Sequence, residues 1–365
     1  MKMKFTRKGL SGVIKRAASV SASNGLLEIL SHFLVEVRDG VASFTATNME
    51  MQITATAPVH ATDEAVFTLP AKKFVALVAT FPADAEISLE LVGERATLRC
   101  GKGRYVLDGL DPKNFPAIAV SASGAGFQAE APEFRRTLDF VMPSMAWKDV
   151  RNYLNGALIT VGSGGLVAVS TDGHRIAVRQ FECPGDDVVL LLSNNGINTL
   201  HGLLADCGTC QVQVEKASNA AVFTLGDYRL VAKLIDGSFP DWRRLMPDKP
   251  GYVEVNRAGL VEILKRLSLF SSEKNFGVKL NFGGSELQAT TGGDNGDTAV
   301  ESIPFTGDLE HTTGINLRYL IDAMDAVDSE LVEIGAATPG LESSAMVVRP
   351  IGNNQSRIVL MPMRM

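Results

Sequence analysis

Apolar residues recur along this chain at a spacing that predicts six short amphipathic helices. They stand at i, i+3, i+4 and i+7, which places one apolar stripe on a helix face. The predicted helices cover the windows 8–18, 72–81, 133–145, 197–206, 257–267 and 317–328. His201 occupies the i+4 position of the fourth stripe, and the other five stripes are apolar throughout. The six helices come in three pairs along the chain.

Hairpins are predicted after the first helix of each pair. Asp39-Gly40, the segment 162–165 and Gly283-Gly284 each separate two runs of β-forming residues. Such turns favour two-stranded hairpins because their residues adopt positive φ. Each third of the chain therefore has the order strand, helix, strands, helix, strands.

Two linker-like segments separate these repeated units. Residues 117–126 are rich in Gly, Ser and Ala, and residues 247–251 contain two prolines and a glycine. We therefore predict three similar domains at 1–122, 127–247 and 252–365. The fold class is α+β, with two amphipathic helices and antiparallel sheets in each domain. A period of roughly 120 residues indicates domain duplication rather than a solenoid.

The composition is that of an ordinary globular protein with a segregated charge. The chain of 365 residues is 45% hydrophobic and carries a net charge of −6, which excludes a uniformly basic nucleic-acid-binding surface. The basic residues nevertheless concentrate in the predicted helices: Lys8, Lys15, Arg16, Lys72, Lys73, Arg257, Lys265 and Arg266. Two interpretations remain open, namely solvated helix faces and a shared basic face turned towards a polyanion.

The setting predicted from the sequence is a reducing cytoplasm. No apolar run approaches the ~18 residues of a membrane-spanning helix. Four cysteines in a chain of this length do not form a recognisable disulfide framework.

The short motifs associated with cofactors are incomplete. The CxxC at 207–210 lacks the two further ligands of a zinc site and the surrounding pattern of a thioredoxin, so we predict a turn or buried role. The glycines at 162–165 lack the phosphate-loop lysine, and 294–297 lacks the spacing of a calcium loop. No metal and no cofactor are predicted.

Two segments contain residues suited to recognition. The segment 170–175 gathers the polar residues that hydrolases use, but an Asp-Gly turn at a strand start favours a recognition surface over catalysis. The tail 359–365 contains Pro362 and three methionines, which fit a central strand poorly. Methionine is common where varied partners bind, so a partner groove and a plain last strand both remain open here.

The chain resembles the bacterial DNA polymerase III beta subunit family, the replication sliding clamps, over essentially its whole length. The motifs that carry the resemblance are Thr171-Asp172-Gly173-His174-Arg175, the segment 236–244, Tyr153-Leu154-Asn155-Gly156 and Met361-Pro362-Met363-Arg364. The resemblance implies a head-to-tail homodimer of three-domain chains that closes into a ring around double-stranded DNA, without sequence specificity. It also implies a non-catalytic processivity factor that tethers the replicative polymerase.

The resemblance further implies a groove for short partner peptides, which usually contain a Gln and paired apolar or aromatic residues. These peptides belong to the DNA polymerase III alpha subunit, other polymerases, the clamp loader and repair proteins. The implied groove residues are Leu154, Thr171, Gly173, His174, Arg175, Ile176, Pro240, Arg244, Leu245, Val359, Met361, Pro362, Met363 and Arg364.

Two further sets of residues follow from the same resemblance. The implied DNA-facing residues are Lys15, Arg16, Lys72, Lys148, Tyr153 and Lys265, and the implied dimer contacts are Tyr105 and Leu107 against Leu269 and Phe270. The chain departs from the family pattern at Ser23-Asn24 and in the fourth helix, which carries no Lys or Arg.

Two other functions compete with this interpretation. One is a specialised clamp paralogue, of phage, plasmid or resistance-linked type, that serves a single polymerase. The other is a nucleotidyltransferase, which requires carboxylates holding two metal ions, and no acidic motif of that kind stands out.

Overall fold

The computed structural model describes residues 1–22, 27–120, 122–247, 250–271, 276–293, 296–340 and 343–364. The departure from the family pattern at Ser23-Asn24 lies outside the described residues, as does part of the 294–297 segment. Six α-helices and 25 strands are assigned within the described part.

The first third of the chain contains two helices and nine strands. In chain order these are β1 (Lys2–Thr6), α1 (Arg7–Ala17), β2 (His32–Arg38), β3 (Val41–Thr47), β4 (Met51–Pro58), β5 (His60–Ala61), β6 (Ala65–Pro70), α2 (Ala71–Ala79), β7 (Glu86–Val92), β8 (Arg95–Cys100) and β9 (Gly103–Asp108). The Thr6 side chain begins α1 by accepting a hydrogen bond from the Gly9 amide.

The second third repeats this order with eight strands. They are β10 (Ala122–Glu130), α3 (Ala131–Val141), β11 (Gly156–Gly162), β12 (Gly165–Thr171), β13 (Arg175–Phe181), β14 (Val188–Ser193), α4 (Asn194–Cys207), β15 (Gln211–Ala217), β16 (Ala220–Leu225) and β17 (Tyr228–Lys233). The predicted window 133–145 is too long, because α3 ends at Val141 and a 3₁₀ turn containing Pro143 follows.

The last third again has two helices and eight strands. They are β18 (Gly251–Asn256), α5 (Arg257–Ser268), β19 (Gly277–Gly283), β20 (Glu286–Gly292), β21 (Thr298–Gly307), β22 (His311–Asn316), α6 (Leu317–Ala326), β23 (Leu331–Ala336), β24 (Met346–Pro350) and β25 (Ser356–Leu360). The six predicted helices and the three predicted hairpins are thus all present.

The chain groups into two compact units, although its sequence repeats three times. Unit 1 comprises Met1–Phe134, Gly185–Leu190 and Asn198–Leu234, and unit 2 comprises Arg135–Pro184, Leu191–Ile197 and Ile235–Met365. The predicted middle domain therefore contributes to both units. The reason is strand pairing between repeats, since β17 pairs with β4 in unit 1 and β13 pairs with β25 in unit 2.

Unit 1 contains two antiparallel sheets and the helix pair α1 and α2. The strand orders are β5-β1-β7-β8-β9 and β10-β15-β16-β17-β4-β3-β2-β6. The apolar stripe of α1 is buried, and the rings of Phe33, Phe44 and Phe74 pack together in the core. The period predicted from the sequence thus selects the helix faces that the sheets cover.

Unit 2 is built on one long antiparallel sheet and the helix pair α5 and α6. Within unit 2 the strand order is β11-β12-β13-β25-β24-β23-β18-β21-β20-β19-β22. Ile176 of β13 lies opposite Val359 of β25, and both belong to an apolar cluster that Phe239 and Trp242 cover. This register brings the 171–175 turn beside the C-terminal tail.

The cysteines differ from the expectation of a reduced protein. Cys207 and Cys210 form a disulfide across the turn that ends α4, with Cα atoms 5.8 Å apart, while Cys100 and Cys183 are free. The predicted turn is present, and it brings the two residues within disulfide range. Among the described helices, none is long and apolar enough to cross a membrane.

Candidate functional site

The turn 171–175, between β12 and β13, is held by its own side chains. The Thr171 hydroxyl donates to the Arg175 carbonyl at 2.6 Å and accepts from the Gly173 amide at 3.1 Å. The Asp172 carboxylate accepts from the amides of His174 and Arg175 at 2.9 and 3.0 Å. Gly173 has φ +90°, which only glycine adopts easily. The turn is therefore a rigid feature of the surface.

Arg175 supports this turn from within rather than standing at its rim. Its guanidinium donates to Asp172 at 3.0 Å and to Asp322 of α6 at 2.6 Å. Its side chain is only 10% exposed, and the guanidinium lies 4.2 Å from the centre of the Tyr319 ring. Arg175, which the resemblance places among the groove residues, is therefore a mostly buried support of the turn whose charge is already paired.

His174 lies at the exposed end of the same arrangement. Its ring stacks on Tyr319 with centroids 6.4 Å apart. Burial raises the pKa of the Tyr319 hydroxyl, which keeps this ring neutral at ordinary pH. The pair gives the turn a flat aromatic edge next to the tail.

The tail passes between the turn and the edge strand β22. The Met361 amide donates to the His174 carbonyl at 2.9 Å, and the Met363 amide donates to the Gly314 carbonyl at 2.8 Å. Met361 is 37% exposed, and Arg364 is also exposed. The backbone of the tail is consequently fixed by hydrogen bonds, while the side chains of Met361 and Arg364 remain exposed to solvent.

A cavity of about 530 Å³ opens along the tail. Its lining consists of Lys279, Thr312, Thr313, Gly314, Ser343, Pro362, Met363 and Arg364. Three of these, Pro362, Met363 and Arg364, are predicted groove residues. The cavity combines apolar tail side chains with hydroxyl groups and two positive charges, which suits an amphipathic peptide.

The apolar residues of the implied groove divide into buried and exposed ones. Leu154, Ile176 and Val359 are at most 2% exposed and belong to the protein core, whereas Leu245 is 42% exposed. Pro240 is exposed too, and Arg244 forms an exposed ion pair with Asp241 at 2.8 Å. Leu245 and Met361 therefore provide the accessible apolar surface, and the buried residues support it.

The loop before β11 carries two of the predicted DNA-facing residues. Lys148 is exposed with φ +57°, and its ammonium lies 5.9 Å from the centre of the Trp147 ring. Tyr153 is half-buried. Hydrogen bonds from Arg151 lower the pKa of Asp149 to about 2, so this ion pair shapes the loop over the whole physiological range.

The predicted cations of α1 behave differently from each other. Lys15 is exposed. Arg16 donates two hydrogen bonds to the Asp206 carboxylate of α4, at 2.6 and 2.8 Å, and these bonds raise the pKa of Arg16. Its charge is therefore neutralised within unit 1, which weakens its assignment as a DNA contact.

The remaining predicted cations lie on the other helices. Lys72 of α2 and Lys265 of α5 are both exposed. Arg266, the neighbour of Lys265, is held by two 2.6 Å hydrogen bonds to Glu301. The helices thus present lysines, while two arginines nearby form ion pairs.

The predicted dimer contacts are only partly accessible. Tyr105, Leu269 and Phe270 are 37%, 82% and 42% exposed, but Leu107 is 5% exposed. Leu107 is buried near the end of β9, whereas Tyr105, two residues earlier on the same face of the strand, remains partly exposed. Val106, which is 41% exposed, is available on this edge strand instead.

No group of three or more metal-ligating side chains occurs in the part of the chain that the structure describes.

Family models of the DNA polymerase III beta subunit match this chain along its length. The N-terminal domain model matches residues 1–119, the central domain model 128–241 and the C-terminal domain model 243–364. The chain belongs to the DNA polymerase III beta subunit family. Its fold is that of three clamp domains, and its function is that of a sliding clamp.

Curated relatives and solved structures support this assignment over the full length. The beta sliding clamps of Salmonella typhimurium and Escherichia coli are each 31% identical over 372 residues, with 100% of both chains covered. A sliding clamp from Pseudomonas aeruginosa bound to griselimycin has a TM-score of 0.95 at 26% identity. The Caulobacter crescentus pol III beta has a TM-score of 0.90 at 27% identity. Each of these two structural matches covers 100% of this chain and 100% of the matched chain.

Seven residues at this site of the clamp were missed by the sequence analysis, among them Thr312, Thr313 and Gly314 of the cavity lining. Tyr319 and Asp322 lie one helical turn apart on α6 and contact the 171–175 turn. Lys279 and Ser343 line the cavity beside the tail. The i, i+3 spacing of Tyr319 and Asp322 could have placed them on one helix face, but no local pattern connects that face to β13.

Proposed function

We propose that this chain acts in the cytoplasm as a non-catalytic accessory subunit of a replicative DNA polymerase. Two copies form a head-to-tail ring around double-stranded DNA. The proposed domains are 1–122, 127–247 and 252–365, which lie close to the ranges that the family models match. A ring stays on DNA by its topology, so the acidic net charge of −6 is compatible with weak, non-specific contacts to the phosphates.

The observation that carries the proposal is the position of the tail. Two backbone hydrogen bonds fix Met361 and Met363 beside the His174 turn and the 530 Å³ cavity. Methionine side chains adapt to differently shaped apolar partners. This surface therefore suits short peptides with paired apolar residues, from the polymerase alpha subunit, other polymerases, the clamp loader and repair proteins.

Peptide titration tests this groove. The probe is a fluorescein-labelled peptide that contains a Gln followed by paired apolar residues. Replacing both Met361 and Met363 with Ala should weaken the affinity for the peptide roughly 30-fold. The reason is that a side-chain contact that becomes buried when the peptide binds contributes about 2 kcal/mol. The melting temperature should change little because Met361 is exposed. Met49→Ala, an exposed methionine of unit 1, is the control and should bind normally. Equal binding by the Met361/Met363 variant would refute the groove.

DNA retention tests the ring. Protein loaded on a circular plasmid should survive moderate salt and leave when the plasmid is cut once. Release by salt at equal rates from circular and linear DNA would indicate contact binding instead. Lys148→Ala should weaken direct DNA binding without changing the particle mass.

The dimer requires a separate test. Head-to-tail contacts either close into a ring or grow into filaments. Sedimentation should give twice the chain mass of 39.0 kDa. Replacing the exposed Leu269 and Phe270 with Ala should give folded monomers. Val106→Ala should weaken the dimer too, whereas an unchanged mass for the double variant would exclude this contact.

A further inference from the structure

The disulfide at the end of α4 is partly accessible, and neither cysteine is among the residues assigned above to the groove, the DNA-facing surface or the dimer. Cys207 is the last residue of α4, and Cys210 directly precedes β15. Gly208 between them has φ +65°, the left-handed conformation that ends many helices. Both cysteines are half-buried and the two residues between them are exposed. Small thiols and disulfides can therefore reach the pair.

This disulfide lies at a junction of three elements within unit 1. Asp206, which directly precedes Cys207, accepts both hydrogen bonds from Arg16 of α1. The Cys210 carbonyl accepts from the amide of Ala131, the first residue of α3, at 3.0 Å. The covalent link therefore fixes the end of α4, and with it the carboxylate that holds Arg16.

The same turn also accommodates the reduced pair. The Cys207 sulfur lies 3.7 Å from the Leu204 carbonyl oxygen, which can accept a hydrogen bond from a thiol. In the oxidised protein neither sulfur of the pair is a thiolate, so an external thiolate must open the disulfide.

We propose that Cys207 and Cys210 form a thiol–disulfide exchange site for small thiols, and that its oxidised form stabilises the Arg16–Asp206 pair. A thiolate attacks one sulfur, forms a mixed disulfide and releases the other cysteine, which takes a proton from water. A second thiol attacks the mixed disulfide. Two thiols thus become one small disulfide, two electrons pass to the protein, and two protein thiols result. The reverse reaction consumes one small disulfide.

Neither half of this proposal depends on DNA or on a partner peptide. Its chemistry requires only the two cysteines and a glutathione-type couple. Its structural effect concerns an ion pair that is 32% and 35% exposed, whose geometry follows the end of α4. The exchange site therefore stands or fails independently of the proposed function.

Counting thiols tests the exchange site. The folded protein is equilibrated with mixtures of reduced and oxidised glutathione, quenched in acid, unfolded, alkylated and weighed. Of the four cysteines, two should be alkylated in the oxidised protein and all four in the reduced protein. The change should follow a two-electron couple. A Cys100→Ser/Cys183→Ala variant should keep this change, and Cys207→Ser/Cys210→Ser should lose it.

Three results would overturn the exchange site. These are four free thiols at every glutathione ratio, a disulfide that excess dithiothreitol does not open in the folded protein, and a lasting adduct on a single cysteine. Circular dichroism verifies that each variant is folded.

Thermal melting tests the link to Arg16. Asp206→Asn should lower the melting temperature of the oxidised protein by roughly 2 °C and that of the reduced protein by less than half as much. Arg16→Gln should show the same difference between the two states. Equal shifts in the two states would overturn the link between the disulfide and the ion pair.

Discussion

The turn 47–51 in unit 1 and the turn 171–175 in unit 2 are built from the same hydrogen bonds. The Thr47 hydroxyl donates to the Met51 carbonyl at 2.9 Å and accepts from the Met49 amide at 3.0 Å. The Asn48 side chain accepts from the amides of Glu50 and Met51 at 3.0 and 2.7 Å. Thr171 and Asp172 make the corresponding four bonds in unit 2.

The strand that pairs beside each turn also corresponds. The Lys233 amide donates to the Glu50 carbonyl at 2.9 Å, as the Met361 amide does to the His174 carbonyl. In unit 1 the chain then continues, with Leu234 bonded to Asn219. In unit 2 the residues after Met361 line a cavity instead.

The two turns differ in their side chains and surroundings. Met51 is buried in the unit 1 core, whereas Arg175 at the equivalent place binds two carboxylates and the Tyr319 ring. Duplication thus preserves the backbone of the turn, and the residues around it decide whether its last side chain is buried in a core or paired with carboxylates.

The largest difference should appear when the acceptor side chain of each turn is removed. Asp172→Ala deprives two amides and the buried Arg175 of a partner, so it should cost about 3 kcal/mol of unfolding free energy. Asn48→Ala removes only the two amide bonds and should cost about 1 kcal/mol. Urea denaturation measures both. Asp172→Asn, which keeps an oxygen acceptor, should lie between them. Equal losses would show that Arg175 contributes nothing to the turn.

A smaller effect should follow from the residue with positive φ in each turn. Gly173 has φ +90° and Met49 has φ +70°. Gly173→Ala should destabilise unit 2 by about 1 kcal/mol through backbone strain, and Met49→Gly should stabilise unit 1 by up to about 1 kcal/mol. Opposite shifts of the denaturation midpoint are expected. Shifts of the same sign would contradict the equivalence of the two turns.

The smallest effect concerns the acid response of the loop beside the unit 2 turn. Arg151 of this loop lies close to the turn, since a Cβ added to Gly173 would be 3.1 Å from the Arg151 guanidinium. Arg151 also holds the pKa of Asp149 at about 2, below its ordinary value of 3.8. Because the folded pKa is the lower one, this interaction is fully present above about pH 4 and is lost towards pH 2.

Trp147 can report that loss. In a Trp242→Phe variant, Trp147 is the only tryptophan, and its fluorescence should change between about pH 4 and pH 2. The further substitution Asp149→Asn should abolish this change in Trp147 fluorescence, while acid unfolding of the protein persists. An identical titration in both variants would exclude Asp149 as its source.

The sequence was most informative about local structure and repetition. The apolar stripe at Leu10, Val13 and Ile14 predicted α1, and Asp39-Gly40 predicted the β2–β3 hairpin, because helix period and turn chemistry are local properties. The resemblance in the 171–175 and 361–364 motifs placed both segments at one site. It did not show that Arg175 is paired or that Leu107 is buried.

Periodicity, turns and the threefold repeat were thus determined by the sequence alone, since each depends on neighbouring residues and their backbone preferences. Only the tertiary structure decided which repeats share a sheet, because the β4–β17 and β13–β25 pairings join residues far apart in the chain. It also decided that Asp322 and Tyr319 neutralise and cover Arg175, that Asp206 holds Arg16, and that Cys207 bonds to Cys210. These outcomes depend on distances between side chains, and no spacing along the chain encodes such distances directly.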